Sequence, residues 1–257
     1  MVEDDLQLAQ LLIDFAAIGG PKVLVHGGGR RATAVASELG IETRMVEGRR
    51  VTDEKMLQVV TMVYGGLVNK SIVARLQAIG VNAIGLTGAD AGIIRSAKRP
   101  PVKVACGAEA RAVTVDYGFV GDVRSVDSAM LARIIDCGMT PVIAPLTHDG
   151  EGHLLNTNAD TMASETAKAL AAAYDVTLVY AFEKPGVLRH ADDDTSVIPV
   201  IDRSDFERYR ADGTVSGGML PKIESALKAI DAGVGRVVIT SAKAIDGTRG
   251  TIIQNAK

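Results

Sequence analysis

Short runs rich in β-branched residues alternate along this chain with stretches of helical period, and that alternation most narrows what it can fold into. The runs are Lys22–His26 (KVLVH), Asn82–Thr87 (NAIGLT), Pro141–Pro145 (PVIAP), Val176–Phe182 (VTLVYAF) and Arg236–Ser241 (RVVITS). They are apolar almost throughout rather than at every second residue, the pattern of strands covered on both faces. Helical patterns lie at Leu6–Ala17, Arg31–Leu39, Asp53–Ile79 (interrupted at Gly65-Gly66), Ser128–Cys137, Thr161–Tyr174 and Pro221–Ala232. This order predicts an α/β fold with a mostly parallel sheet and right-handed crossovers. Val113–Ser125 breaks the order and reads as a β-hairpin turning near Tyr117-Gly118. A boundary near Tyr174-Asp175 separates an N-lobe, 1–174, from a C-lobe, 175–257.

Composition narrows the function. With 257 residues, 47% hydrophobic and 23% charged, the chain can bury a sizeable core. A net charge of -3 offers no basic field to a nucleic acid, and 4% aromatic residues leave few platforms for stacked bases. No unbroken apolar run reaches the roughly 18 residues of a membrane span. The acidic start, Met1-Val2-Glu3-Asp4-Asp5, is unlike a secretory leader. Cys106 and Cys137 have neither CxxC spacing nor a nearby His, as expected of reduced thiols in a cytoplasmic protein.

Several segments carry polar chemistry beyond what folding asks of them. His26-Gly27-Gly28-Gly29-Arg30 sits where a buried strand gives way to a helix. Glycines there let a ligand approach the backbone, and the helix N-terminus offers unpaired N–H groups to an anion. The plainer reading is a tight turn, although three glycines exceed its needs. Neither a Walker loop nor the dinucleotide GxGxxG fits this spacing. Gly48-Arg49-Arg50-Val51-Thr52 precedes the next helix, with Thr52 as its N-cap and Asp53 and Glu54 suited to its dipole. The two arginines are either solvated on that loop or, in the sharper reading, hold a carboxylate. In Asn156-Thr157-Asn158-Ala159-Asp160 one residue caps the following helix, while side chains at i, i+2 and i+4 project to one side if the segment is extended. Gly217-Gly218-Met219-Leu220-Pro221-Lys222 opens a late helix, with Pro221 in the first turn and Lys222 either a tolerated surface cation or a gatherer of positive potential for a phosphate.

Taken in order, HGGG, GRRVT, Tyr64–Lys70 (YGGLVNK), Gly85–Asp90 (GLTGAD), NTNAD and GGMLPK resemble the amino-acid kinase superfamily and, within it, the acetylglutamate kinase family. The resemblance runs from about Val23 to Ile239. It implies a three-layer α/β sandwich with a mostly parallel central sheet, an N-lobe for the acylated amino acid and for dimerisation, and a smaller C-lobe for MgATP. The implied reaction moves the ATP γ-phosphoryl group onto the γ-carboxylate of N-acetyl-L-glutamate.

Carried onto this chain, Gly28 and Gly29 supply backbone contacts to the substrate, Arg50 clamps a carboxylate, and Asn156 and Asn158 hold the rest of the acylglutamate. Lys222 neutralises the transferring phosphoryl group and Asp160 orients the lysines. Phe182, Lys184, Gly186, Val187, Ser216 and Met219 lie along the nucleotide, and Mg²⁺ rides on the phosphates without a protein cage. A homodimer follows, with Asp53–Ile79 at the two-fold interface. The chain departs from the family at Phe182–Val187, where an Asp-containing segment is usual, and at the longer Pro101–Ala112. The family's opening strand, ending in Lys-x-Gly-Gly, has no counterpart here, so the start is expected to be too late. Lacking a preceding helix, the chain is expected to be insensitive to arginine. An N-succinylglutamate kinase and a catalytically dead acylglutamate- or nucleotide-binding protein are the alternatives.

Overall fold

The computed structural model describes residues 5–106 and 111–255. By contact the chain divides into Pro21–Met162 and a second unit formed by residues 163–255 together with 5–20. The division therefore falls inside the helix Ala159–Leu170, ahead of the expected 174/175 position. The reason is the spacing of its alanines: Ala163, Ala167 and Ala171 present one face to the second unit's core.

In the first unit, Thr140–Ile143 is the central strand of a parallel trio, between Leu24–Val25 and Ala83–Leu86. Val142 stands opposite Leu24 on one side and Gly85 on the other. A mixed sheet follows, ordered Leu154–Asn156, Leu146–His148, Ile94–Lys98, Gly121–Val126. The parallel sheet expected from the β-branched runs is thus accompanied by antiparallel pairing that those runs did not announce.

The expected hairpin at Val113–Ser125 is replaced by one hairpin and a longer-range antiparallel pair that flanks it. Val102–Cys106 pairs with Arg111–Val115, and Ile94–Lys98 pairs with Gly121–Val126. Tyr117 is buried among Val104, Val115 and Val120 instead of marking an exposed turn, while Gly118, with φ 71°, packs against the Thr52 backbone. Residues 107–110, within Pro101–Ala112, lie outside the described residues.

The long helix runs unbroken across Gly65-Gly66 because it widens there. An α-helical stretch, Glu54–Val60, passes through a π-helical one, Thr61–Val68, into Asn69–Ala78. A Cβ at Gly65 would sit 3.4 Å from the Leu146 side chain, so glycine lets the helix lie close to its neighbour. By length and composition alone Glu54–Ala78 could cross a membrane, but Met56, Val59, Val63, Val68, Ile72 and Leu76 are buried within the unit, as in a core helix. Asp53 caps this helix by accepting from the Met56 N–H, in place of the expected Thr52, whose hydroxyl is engaged elsewhere.

The second unit builds its sheet in the order Thr177–Phe182, Arg236–Ser241, Thr251–Ile253, Val200–Ile201. Its core gathers Leu178, Tyr180, Ile201, Phe206, Ile223 and Val237. The helix Arg203–Ala211, polar enough to escape the periodicity reading, starts from a reciprocal capping box between Asp202 and Asp205.

Candidate active site

The glycine loop takes its shape from what lies beneath it. Gly28 has φ 154° and ψ 16°, and a Cβ there would stand 3.1 Å from the Tyr64 ring. A side chain would be strained by conformation and would require the Tyr64 ring to give way by a few tenths of an ångström. A Cβ at Gly27 would meet nothing within 4 Å, so the loop is open on that side. The helix Gly29–Glu38 has no side-chain cap, which leaves its first N–H groups available to an anion. His26 is buried and its Nδ1 lies 2.7 Å from the Gly27 carbonyl. Burial lowers its pKa to about 4, with the Gly27 carbonyl opposing, so the ring is neutral at physiological pH.

Arg50 is not on a solvated loop. Arg49–Arg50 pairs with Met45–Val46 in a short antiparallel ribbon, and Arg50 is only 8% exposed. Its Nη2 donates to the Gly29 carbonyl at 2.8 Å and to Thr33 Oγ1 at 2.9 Å, and its Nη1 donates to Thr43 Oγ1 at 3.2 Å. These acceptors are uncharged. A buried guanidinium so surrounded has unspent affinity for a carboxylate. Tyr64 lies in the same cluster; burial raises its phenol pKa and Arg50 opposes the shift.

The NTNAD segment does not project three side chains to one side. Asn156 ends a strand, is buried, and donates from Nδ2 to Thr52 Oγ1 at 3.0 Å. Asn158 is the helix cap, its Oδ1 accepting from the Thr161 N–H at 2.9 Å. Asp160 already lies in the first turn of Ala159–Leu170. The chain turns from strand to helix within these five residues, which breaks the two-residue alternation. Asn156 nevertheless ties this segment to Thr52, and Arg50 ties the strand before Thr52 to the glycine loop.

In the second unit, Lys222 stands over the Phe182 ring at 3.4 Å from its centroid. That contact joins the C-terminal end of Thr177–Phe182 to the N-terminal turn of Leu220–Asp231. Ser216 precedes the 3₁₀ turn Gly217–Met219, and the Met219 N–H bonds the Ser216 carbonyl at 3.3 Å. Neither Gly217 nor Gly218 would bring a Cβ within 4 Å of another group, so the turn is open on that side. Lys184 pairs with Asp194 at 3.0 Å on the surface. Val187 points into the core, its N–H held by Thr251 Oγ1 at 2.8 Å, and a Cβ at Gly186 would lie 2.9 Å from that hydroxyl. Val187 and Gly186 thus shape the strand's exit through packing.

An open groove of about 690 Å³ lies elsewhere, on the outer side of the long helix, lined by Leu57, Met62, Phe119 and Leu154. It shares no residue with the expected substrate set. Sequence reasoning missed Thr33 and Tyr64 as companions of Arg50. Each is unremarkable in its own helix, and only the fold brings it to the guanidinium.

A model of the amino acid kinase family matches residues 3–241. Acetylglutamate kinase of Bacteroides thetaiotaomicron is 62% identical over 254 residues, 99% of this chain and 95% of that protein. Among solved structures, smu.665 from Streptococcus mutans superposes with a TM-score of 0.75 at 27% identity, covering 98% of this chain and 93% of that one. N-acetylglutamate synthase from Neisseria gonorrhoeae, complexed with coenzyme A and N-acetyl-glutamate, shares the fold at a TM-score of 0.77 and 22% identity, covering 99% of this chain and 57% of that one. With the glycine loop, the buried arginine and the lysine-opened helix in place, the chain belongs to the amino acid kinase family.

Proposed function

We propose that the chain is an acetylglutamate kinase, transferring the ATP γ-phosphoryl group to the γ-carboxylate of N-acetyl-L-glutamate to give N-acetyl-L-glutamyl 5-phosphate. The observation that carries this reading is 62% identity, along 99% of the chain, to a relative bearing that name. Arg50 supports it, because a buried cation with uncharged partners beside an open glycine loop suits a dicarboxylate.

A γ-carboxylate is already ionised at neutral pH, so the nucleophile requires no general base. The barrier is that of bringing an anion up to a polyanion, and catalysis rests on positioning and positive charge. Gly28 and Gly29 present backbone N–H groups and Arg50 supplies the charge that draws in the substrate. Asn156 and Asn158 bound the rest of the acylglutamate. Lys222 neutralises charge on the transferring phosphoryl group, and Asp160 is the carboxylate that the resemblance assigns to orienting lysines. The nucleotide lies along Phe182, Lys184 and the Ser216–Met219 turn, with Gly186 and Val187 setting the strand exit. Mg²⁺, held mainly by the phosphates, would offset charge on their oxygens.

We also infer a cytoplasmic homodimer built on the long helix, whose Met62 and Leu67 are exposed at 54% and 49%. The reaction is tested by trapping acyl phosphate as hydroxamate, with acetyl- and succinyl-glutamate each offered with MgATP. Product from acetylglutamate in excess over succinylglutamate is expected. Preference for the succinyl compound, or no product from either, overturns the assignment.

A further inference from the structure

Beneath the glycine loop, one amide ties together the ends of three parallel strands. Asn69, fully buried at the start of Asn69–Ala78, donates from Nδ2 to the Val142 carbonyl at 2.9 Å and meets His26 Nε2 at 3.1 Å. Its Oδ1 accepts from Lys70 Nζ at 3.2 Å, and Lys70 also donates to the Gly85 carbonyl at 3.0 Å. Gly85 makes the room: a Cβ there would overlap Asn69 Oδ1 and stand 2.7 Å from Lys70 Nζ.

These partners fix the direction of every bond. A lysine ammonium only donates and a backbone carbonyl only accepts, so Oδ1 faces Lys70 and Nδ2 faces Val142. Nδ2 therefore donates to His26 as well, and Nε2 is the bare nitrogen. The ring proton sits on Nδ1, where it donates to the Gly27 carbonyl. That bond turns the Gly27 carbonyl back towards the His26 ring. In a planar trans peptide the N–H points opposite to the C=O, so the Gly28 N–H is aimed away from the ring.

We propose that Asn69 is a positioning residue: through the His26 tautomer it sets the Gly27–Gly28 peptide so that the Gly28 N–H faces the acylglutamate. The identity of that ligand rests on the function proposed above, whereas the tautomer does not. Asn69 never touches substrate in this account; it removes the freedom of a glycine-rich loop that would otherwise have to be ordered on binding.

Two measurements test the relay. In ¹⁵N NMR of the wild-type histidines, with the His26 signal identified by its loss in His26→Asn, a protonated Nδ1 and bare Nε2 are expected at pH 7. An Nε2–H tautomer or an imidazolium overturns the proposal whatever the activity. Steady-state kinetics then compare Asn69→Ala, His26→Gln and His26→Asn. His26→Gln keeps an acceptor for Asn69 but releases the Gly27 carbonyl, whereas His26→Asn keeps a donor within reach of it. Loss of a bond worth about 1–2 kcal/mol predicts an acetylglutamate KM raised roughly 5- to 30-fold in Asn69→Ala and His26→Gln. His26→Asn is expected to change it about threefold or less, and the ATP KM to stay within about twofold throughout. A fall in kcat at unchanged KM, or equal rises for both substrates, overturns the proposal and leaves Asn69 a packing residue. Should Asn69→Ala not fold, the two His26 variants decide. A wild type that forms no acyl phosphate removes the ligand named here, and the tautomer measurement separates that failure from one of the relay.

Discussion

Arg50 reaches across 21 residues of sequence to donate from Nη2 to the carbonyl of Gly29, 2.8 Å away. The bond joins the two motifs that come earliest in the chain and places a buried cation directly under the glycine loop. It also gives Arg50 a structural task, holding the loop to its neighbour strand, beside the proposed one of attracting an anion.

Replacing Arg50 by lysine separates those tasks. Lysine keeps the charge but has no planar fork to serve Gly29, Thr33 and Thr43 together. Loss of charge-assisted bonds worth roughly 1.5–3 kcal/mol predicts an acetylglutamate KM about 10- to 150-fold higher, with the ATP KM much less changed. Melting should also fall, because the bonds that hold the glycine loop to its neighbour strand are lost. Parallel rises in both KM values would remove Arg50 from the substrate side.

Lys222→Ala should act on turnover. Its Nζ stands over the Phe182 ring, held at the first turn of a helix whose dipole already favours anions. A fall in kcat of about 10²- to 10³-fold is expected, the usual cost of removing one charge stabiliser. Turnover at the wild-type rate would return this lysine to the surface.

Acid should destabilise the protein through His26. In the unfolded chain the ring takes up a proton near pH 6.5, but burial delays this to about pH 4 in the native state. Between those values the unfolded state binds more protons, so stability is complete above about pH 7 and is lost as pH falls towards 4. The loss is on the order of 3 kcal/mol. Urea unfolding at pH 7 and pH 4.5 measures it, and His26→Asn should show a smaller drop. The hydrogen-bonded carboxylates Asp149, Asp193 and Asp202 have lowered pKa values, so their contribution is present above about pH 4 and disappears only below it. An identical pH dependence in wild type and variant would show that His26 is not buried neutral.

The assembly has its own test. Light scattering at micromolar concentration should give twice the chain mass of 26.9 kDa. Met62→Asp and Leu67→Asp together should shift it to the monomer, since each places a charge on the exposed apolar side of the long helix.

Much of the architecture is legible in local pattern. Continuous β-branched runs locate Leu24–Val25, Ala83–Leu86, Thr140–Ile143, Thr177–Phe182 and Arg236–Ser241, because strands covered on both faces carry their burial in their own composition. The helices are equally readable wherever one face is apolar. Short strands such as Leu146–His148 and Thr251–Ile253 are not, since three residues carry no period and their pairing is set by partners far away in sequence.

The motifs HGGG, GRRVT, NTNAD and GGMLPK mark the candidate site by sequence alone, through glycine clusters and polar residues at helix starts. What they do locally was decided by the tertiary structure. Thr52 gave up the helix cap to Asp53 because Asn156 needs its hydroxyl. Arg50 left solvent because Gly29, Thr33 and Thr43 offer it uncharged acceptors around its guanidinium. Asn69, an ordinary helical residue by any local measure, joined His26 and Val142 because Gly85 leaves space opposite it. Periodicity and glycine placement are properties of a segment, so the sequence determines them by itself. Hydrogen-bond partnership among buried side chains depends on which segments the fold brings together, and only the tertiary structure decides that.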